Sequence, residues 1–197
     1  MDDVERDLAA TTRQVYPEYS GMQVTPLQAA LLSMLARTLQ PRFAVEVGTF
    51  TGYSAMAIAK GLPRRGRLLC CEASSAAIAV ARPFWQRAGV ADRITVKLGR
   101  ALDTLRELPR RRMIDLAFVD ADKNEYVQYW TEIVPRTRAG GLIVVDNVFG
   151  FGGVVDDDLS NTSGSALREF NEHVLADGRV ERVVLPIGDG LTIARRK

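Results

Sequence analysis

Acidic and amide side chains stand at the ends of apolar runs along this chain. "RFAVEVG" carries Glu46 inside an otherwise apolar run, and "GRLLCCE" ends in Glu72. "IDLAFVD" ends in Asp120 with Lys123 three residues on, and "GGLIVVDN" ends in Asp146 and Asn147. A carboxylate in an apolar strand is costly unless something pairs with it. Asp120, Asp146 and Asn147 offer three hard oxygen donors with no His or Cys beside them, a set suited to Mg²⁺, Mn²⁺ or Ca²⁺ rather than zinc. Three protein ligands would leave positions for water or a chelating substrate.

The elements that must position these residues alternate. "RFAVEV", "GRLLCCE", "RITVKL", "IDLAFVD" and "GGLIVVD" read as strands. Helices are expected at Ser54 to Lys60, Ser74 to Ala88 with a bend at Pro83, Ala101 to Leu108, Asn124 to Thr137 and Ser165 to Leu175. "RVERVVLPIGDGLTIARR" reads as two strands about a Gly-Asp-Gly turn, an antiparallel hairpin. Five βα units with near-continuous apolar strands imply an α/β fold whose parallel sheet is covered by helices on both faces. Upstream, Asp2 to Gln14 reads as a polar helix. Thr25, Pro26 and Gln28 form a capping box ahead of an apolar stripe in "TPLQAALLSMLARTLQ".

In such sheets ligands bind at the carboxyl ends of the strands, where the acids fall. Glu72 is placed to accept both ribose hydroxyls of a nucleotide, which suits NAD and S-adenosylmethionine (SAM) alike. The first turn separates them. Its glycines read G-x-x-x-G (Gly48, Gly52) rather than the G-x-G-x-x-G that brings main-chain N–H groups to a pyrophosphate. SAM has no phosphate and brings a sulfonium and an ammonium, which Glu46 and Asp120 would answer with negative charge. Glu46 is therefore read as a cofactor ligand, directly or through the loop, and an NAD-dependent dehydrogenase as the weaker alternative.

Composition sets the bounds. The 197 residues suggest one domain, and 47% apolar with 25% charged residues marks a soluble globular class. "MDDVERDLAA" has no apolar core for a secretory signal, and no apolar run approaches the roughly 20 residues that span a bilayer. Cys70 and Cys71 are the only cysteines and are adjacent, so no disulfide framework or Cys-based zinc site is expected, and a cytoplasmic location fits. A net charge of +2 does not by itself argue for nucleic acid. "LPRRGR", "LPRRRM" and "ARRK" read as solvated loops and tail, His173 as an exposed helix residue, and Asp156 to Asp158 as a solvated acidic run.

"VEVGTFTGYS", "VDADKNEY" and "GGLIVVDNV", with "GMQVTPLQAALL", "RAGVADRI" and "LPIGDGLTIARR", closely resemble the cation-dependent SAM O-methyltransferases of small molecules, the caffeoyl-CoA and catechol type, in their bacterial branch. The similarity runs from about Gly21 to the C-terminus. It implies a Rossmann-like class I methyltransferase: a seven-stranded, mostly parallel sheet with an antiparallel C-terminal hairpin, usually in a homodimer. One domain would span 1–197, a helical segment over 1–40 preceding a core over 41–197. By position, Glu46, Gly48, Ser54, Glu72, Ala101 and Asp120 would line the SAM site. Asp120, Asp146 and Asn147 would hold the cation, and Lys123 would be the catalytic lysine beside Asp120.

The implied activity is methyl transfer to a hydroxyl of a small catechol-like or other phenolic acceptor, with Phe149 and Phe151 as candidates to wall an aromatic ring. Within the same fold, the alternative acceptor is a hydroxylated wobble uridine of tRNA, which the basic clusters would help to hold. Two departures bear on the acceptor. Only about twenty residues precede the match, and the loop after Asn147, "VFGFGGVVDDDLSNTSG", lacks a tryptophan common in relatives.

Overall fold

Buried aliphatic runs form most of the strands, and each of the first four strands is followed by a turn that reverses the chain into a helix. The computed structural model describes residues 1–155 and 162–197. The acidic run Asp156 to Asp158 lies outside the described residues. The strands are β1 (Phe43–Val47), β2 (Arg67–Glu72), β3 (Ile94–Leu98), β4 (Ile114–Val119), β5 (Thr137–Asp146), β6 (Val180–Leu185) and β7 (Leu191–Arg196). They form a seven-stranded sheet in the order β3-β2-β1-β4-β5-β7-β6. Every residue of β4 is buried, as expected of a strand covered on both faces.

The chain divides into two compact units, residues 1–101 and 102–197. In the first, β1, β2 and β3 pair in parallel, with Glu46 level with Cys70 and Val47 with Cys71. Helices α1 (Asp3–Val15), α2 (Pro26–Leu39), α3 (Tyr53–Gly61) and α4 (Ser75–Arg87) belong to this unit. α1 opens with a capping box between Asp2 and Glu5. α2 opens with the expected one: the Thr25 hydroxyl accepts from the Gln28 N–H at 3.2 Å, and the Thr25 N–H donates to Gln28 Oε1 at 2.8 Å. α4 runs through Pro83 to Arg87. A 3₁₀ turn over Pro17–Met22 joins α1 to α2, in a stretch with no periodicity to announce it.

In the second unit β4 and β5 are parallel, while β5–β7 and β6–β7 are antiparallel, which gives the expected hairpin. Helices α6 (Tyr126–Arg136) and α7 (Thr162–Ala176) lie here, and α5 (Ala101–Glu107) begins at the unit boundary. α6 starts two residues later than expected, because Asp122 accepts from the Asn124 N–H and sets a 3₁₀ turn over Lys123–Glu125. β5 starts at Thr137 rather than Gly140. Thr137 pairs with Ile114, and an irregularity follows before Leu142 meets Leu116, with Gly140 at φ 75°. Trp130 on α6 donates its indole N–H to Asp177 at 2.9 Å. The Arg179 hydrogen bond holds the Asp177 carboxyl well below the ordinary range. His173 is exposed, as are Arg64, Arg65 and Arg110 to Arg112.

Thr25 satisfies one orphan N–H at the start of α2. Thr25→Ala is expected to lower stability by about 1 kcal/mol, read from the urea midpoint at unchanged slope.

Candidate active site

In the first unit the site starts at the end of β1. Glu46 is fully buried. Its Oε2 accepts from the Thr49 hydroxyl at 2.8 Å and from the Cys70 thiol at 3.3 Å. Cys70 faces it from the paired strand. Burial, and then the Glu46 charge, push the Cys70 thiol well above its ordinary value, so it stays protonated and able to donate. Glu46 thus reaches the following turn through Thr49.

That turn has left-handed backbone at Gly48 (φ 84°), Phe50 (φ 47°) and Gly52 (φ 83°). Phe50 pays the steric cost that glycine avoids. The Glu72 carboxylate holds the turn: Oε2 accepts the N–H groups of Thr49 at 2.9 Å and Phe50 at 2.7 Å, and Oε1 accepts that of Ser74 at 2.8 Å. A carboxylate offers roughly four acceptor positions, so capacity remains for one further donor. Ser54 is buried in the first turn of α3. The Gly99 N–H, two residues before Ala101, bonds the Glu72 carbonyl at 2.9 Å.

Gly52 has a second role. A Cβ there would stand 2.6 Å from the Trp85 ring and 2.7 Å from Ala81, and the Trp85 indole donates to the Gly52 carbonyl at 2.9 Å.

In the second unit Lys123 meets two of the three expected cation ligands. Its Nζ lies 2.9 Å from Asp120 Oδ1, 2.9 Å from Asn147 Oδ1 and 2.7 Å from the Tyr126 hydroxyl. Tyr126 in turn donates to the Asp146 carbonyl at 3.1 Å. Burial, and then the charges of Asp120 and Asp146, push the Tyr126 phenol well above its ordinary value. Asp146 is buried, and its Oδ1 accepts the Asn147 N–H at 2.8 Å. Asn147 is itself left-handed, at φ 57°. Among the described residues no cluster of three or more His, Cys, Asp or Glu forms a metal site. The set here is two carboxylates and an amide. Two of its three side chains already turn an oxygen to one positive charge, which fits a bound cation.

Thr49, Cys70 and Tyr126 were not picked out from the sequence. Of the two candidate wall residues, Phe149 packs on the hairpin turn, where a Cβ on Gly190 would meet its ring at 2.6 Å, and Phe151 is 90% exposed.

Residues 2–197 match the family model described as O-methyltransferase. The chain belongs to that family. This O-methyltransferase is 39% identical over 170 residues to mouse "Catechol O-methyltransferase domain-containing protein 1", covering 85% of this chain and 65% of that protein. It is 34% identical over 200 residues to the caffeoyl-CoA O-methyltransferase of Populus kitakamiensis, covering 97% of this chain and 85% of the relative. In structure it is similar to the O-methyltransferase TomG of Streptomyces achromogenes, solved in complex with SAM: TM-score 0.90 and 32% identity over 100% of this chain and 91% of that one.

Because Gly52 is both left-handed and pressed against Trp85, Gly52→Ala should be far costlier than an ordinary surface change. We expect a loss above about 2 kcal/mol, the range of strain and overpacking combined, read by calorimetric melting. A melting temperature equal to the parent's would show that the turn tolerates a side chain.

Proposed function

We propose that this O-methyltransferase uses SAM and a divalent cation to methylate a hydroxyl of a small catechol-like or other phenolic acceptor. The observation that carries the reading is the convergence of Asp120 Oδ1 and Asn147 Oδ1 on the Lys123 ammonium, each at 2.9 Å, with Asp146 beside Asn147. TomG, bound to SAM, and the caffeoyl-CoA O-methyltransferase of Populus kitakamiensis support the cofactor and the acceptor class. The homodimer that the resemblance implies, and a single domain over 1–197, belong to the same proposal. Among the described residues no helix is long and apolar enough to cross a membrane.

The cofactor is assigned to Glu46, Gly48, Ser54, Glu72, Ala101 and Asp120, and the cation to Asp120, Asp146 and Asn147, with Mg²⁺ preferred for an all-oxygen set. When bound, SAM supplies an electrophilic methyl group and the cation makes a nearby hydroxyl more acidic. Glu72 accepts a ribose hydroxyl at the capacity its three main-chain donors leave open. Asp120 adds negative charge for the cofactor ammonium. With the cation taking over Asp120 and Asn147, Lys123 would give up one proton to solvent, and the free amine at Nζ would then take the acceptor's hydroxyl proton; the Tyr126 hydroxyl, 2.7 Å away, holds that nitrogen in place. Alignment of oxygen and methyl supplies the remaining rate, worth up to roughly 7–11 kcal/mol in favourable cases.

Methyl transfer to a catechol after exhaustive chelation, then with Mg²⁺ restored, is the test. Activity should disappear and return. Asp146→Ala should abolish turnover and largely spare SAM affinity. Lys123→Ala should lose roughly 10²–10⁴-fold in rate, the range for a general base, with its residual activity rising with pH as the phenol ionises unaided. Full activity in chelated enzyme removes the cation, and a Lys123→Ala rate close to the parent's removes the base.

A further inference from the structure

Thr12 lies in the last turn of α1, a helix whose sequence is mostly polar, yet its side chain is fully buried. Thr51, in the turn after β1, is fully buried as well. Their hydroxyl oxygens are 2.8 Å apart, and Thr12 Oγ1 is 2.9 Å from the Leu8 carbonyl. A carbonyl only accepts, so the Thr12 proton goes to Leu8 and the Thr51 hydroxyl donates to Thr12. The Gln23 amide, just past the 3₁₀ turn, completes the cluster with Nε2 at 3.1 Å from Thr12 Oγ1 and 3.2 Å from Thr51 Oγ1. Buried hydroxyls are costly unless bonded, so this small polar cluster defines one relative position of helix and turn.

Two other contacts fix the same relation. The Tyr16 ring, capping α1, lies 5.3 Å from that of Phe50, the strained left-handed residue of the turn. Lys60 on α3 bonds Asp2 at 2.5 Å and Glu5 at 2.8 Å. Burial opposes its charge, but these hydrogen bonds outweigh it and raise the Lys60 pKa. Thr51 is flanked by the two ends of the turn that matter: Phe50, whose N–H sits on Glu72, and Gly52, which opens α3.

We propose that Thr12 and Gln23 are positioning residues of the cofactor loop: by bonding Thr51 they hold residues 48–52 in the strained form that presents the Thr49 and Phe50 N–H groups to Glu72. The N-terminal helix thereby sets cofactor affinity without touching the reacting atoms. This rests on the assignment of that loop to SAM.

The test uses the full-length protein. Thr51→Val and Thr12→Val keep size and remove the hydroxyl; Thr51→Ser restores it. Two readouts are taken: SAM affinity by calorimetry, and hydrogen exchange of the Thr49 and Phe50 amides in ligand-free protein. We expect the valine variants to weaken SAM roughly tenfold, the scale of one lost buried hydrogen bond, and to speed exchange at both amides; Thr12→Val, outside the loop, should leave kcat at saturating SAM unchanged. Thr51→Ser should recover both readouts. A purely structural role would lower the melting temperature and leave these amides and the affinity alone, and that result overturns the proposal. Should a valine variant not fold, Gln23→Leu at the half-buried corner of the cluster gives the same two readouts. A parent that binds no SAM defeats the assignment of the loop, and exchange at Thr49 and Phe50 still decides whether α1 holds it.

Discussion

One carboxylate gathers three main-chain N–H groups. Glu72 stands at the end of β2 and accepts from Thr49, Phe50 and Ser74. Main-chain donors in a tight turn need partners, and a charged acceptor is a strong one. The register makes it possible. Val47 is level with Cys71, so β1 and β2 end together, and the turn after β1 falls beside the acid that closes β2. The Gly48 N–H adds a bond to the Cys71 carbonyl at 3.0 Å. Because Ser74 also caps α4, the same side chain joins the exits of two strands to the start of a helix.

Backbone strain marks the same places as the chemistry. Among the described residues four non-glycine residues have positive φ: Gln40, Phe50, Asn147 and Phe151. Phe50 and Asn147 follow β1 and β5, each with a carboxylate beside it. Such conformations cost of order 1–3 kcal/mol and persist only where the surroundings over-determine them. Around Phe50 the surroundings are Glu72 and Tyr16; around Asn147 they are the Asp146 carboxylate and the Lys123 ammonium.

Much of this was legible in the sequence because its signals are local. Thr25, Pro26 and Gln28 announce a helix start within four residues, and apolar runs ending in Glu72, Asp120 and Asp146 announce strand ends. What stayed hidden depends on register and on separation along the chain. Cys70 meets Glu46 only because β1 and β2 align as they do; adjacent Cys70 and Cys71 gave no hint which of them shares a face with the acid. Thr12 and Thr51 are far apart in sequence, and a threonine in a polar helix carries no periodic signal. β5 begins at Thr137 because an irregular stretch holding two glycines was absorbed into a strand, where glycine more often marks a break. Phe149 is drawn to the hairpin turn by Gly190, a bare position that no nearby residue reveals.

The chain has two tryptophans, and they fall one to each compact unit. Trp85 donates its indole N–H to the Gly52 carbonyl, under the turn of the first unit; Trp130 donates to Asp177 in the second. Both rings are buried. Each half of the protein therefore carries its own intrinsic emitter, bonded to an acceptor of different charge: a neutral carbonyl in one case, a carboxylate in the other. Replacing one indole by phenylalanine leaves a single tryptophan, which can be excited apart from the tyrosines at the red edge of the absorption band. The order in which the two halves lose their structure can then be followed optically, with no label attached.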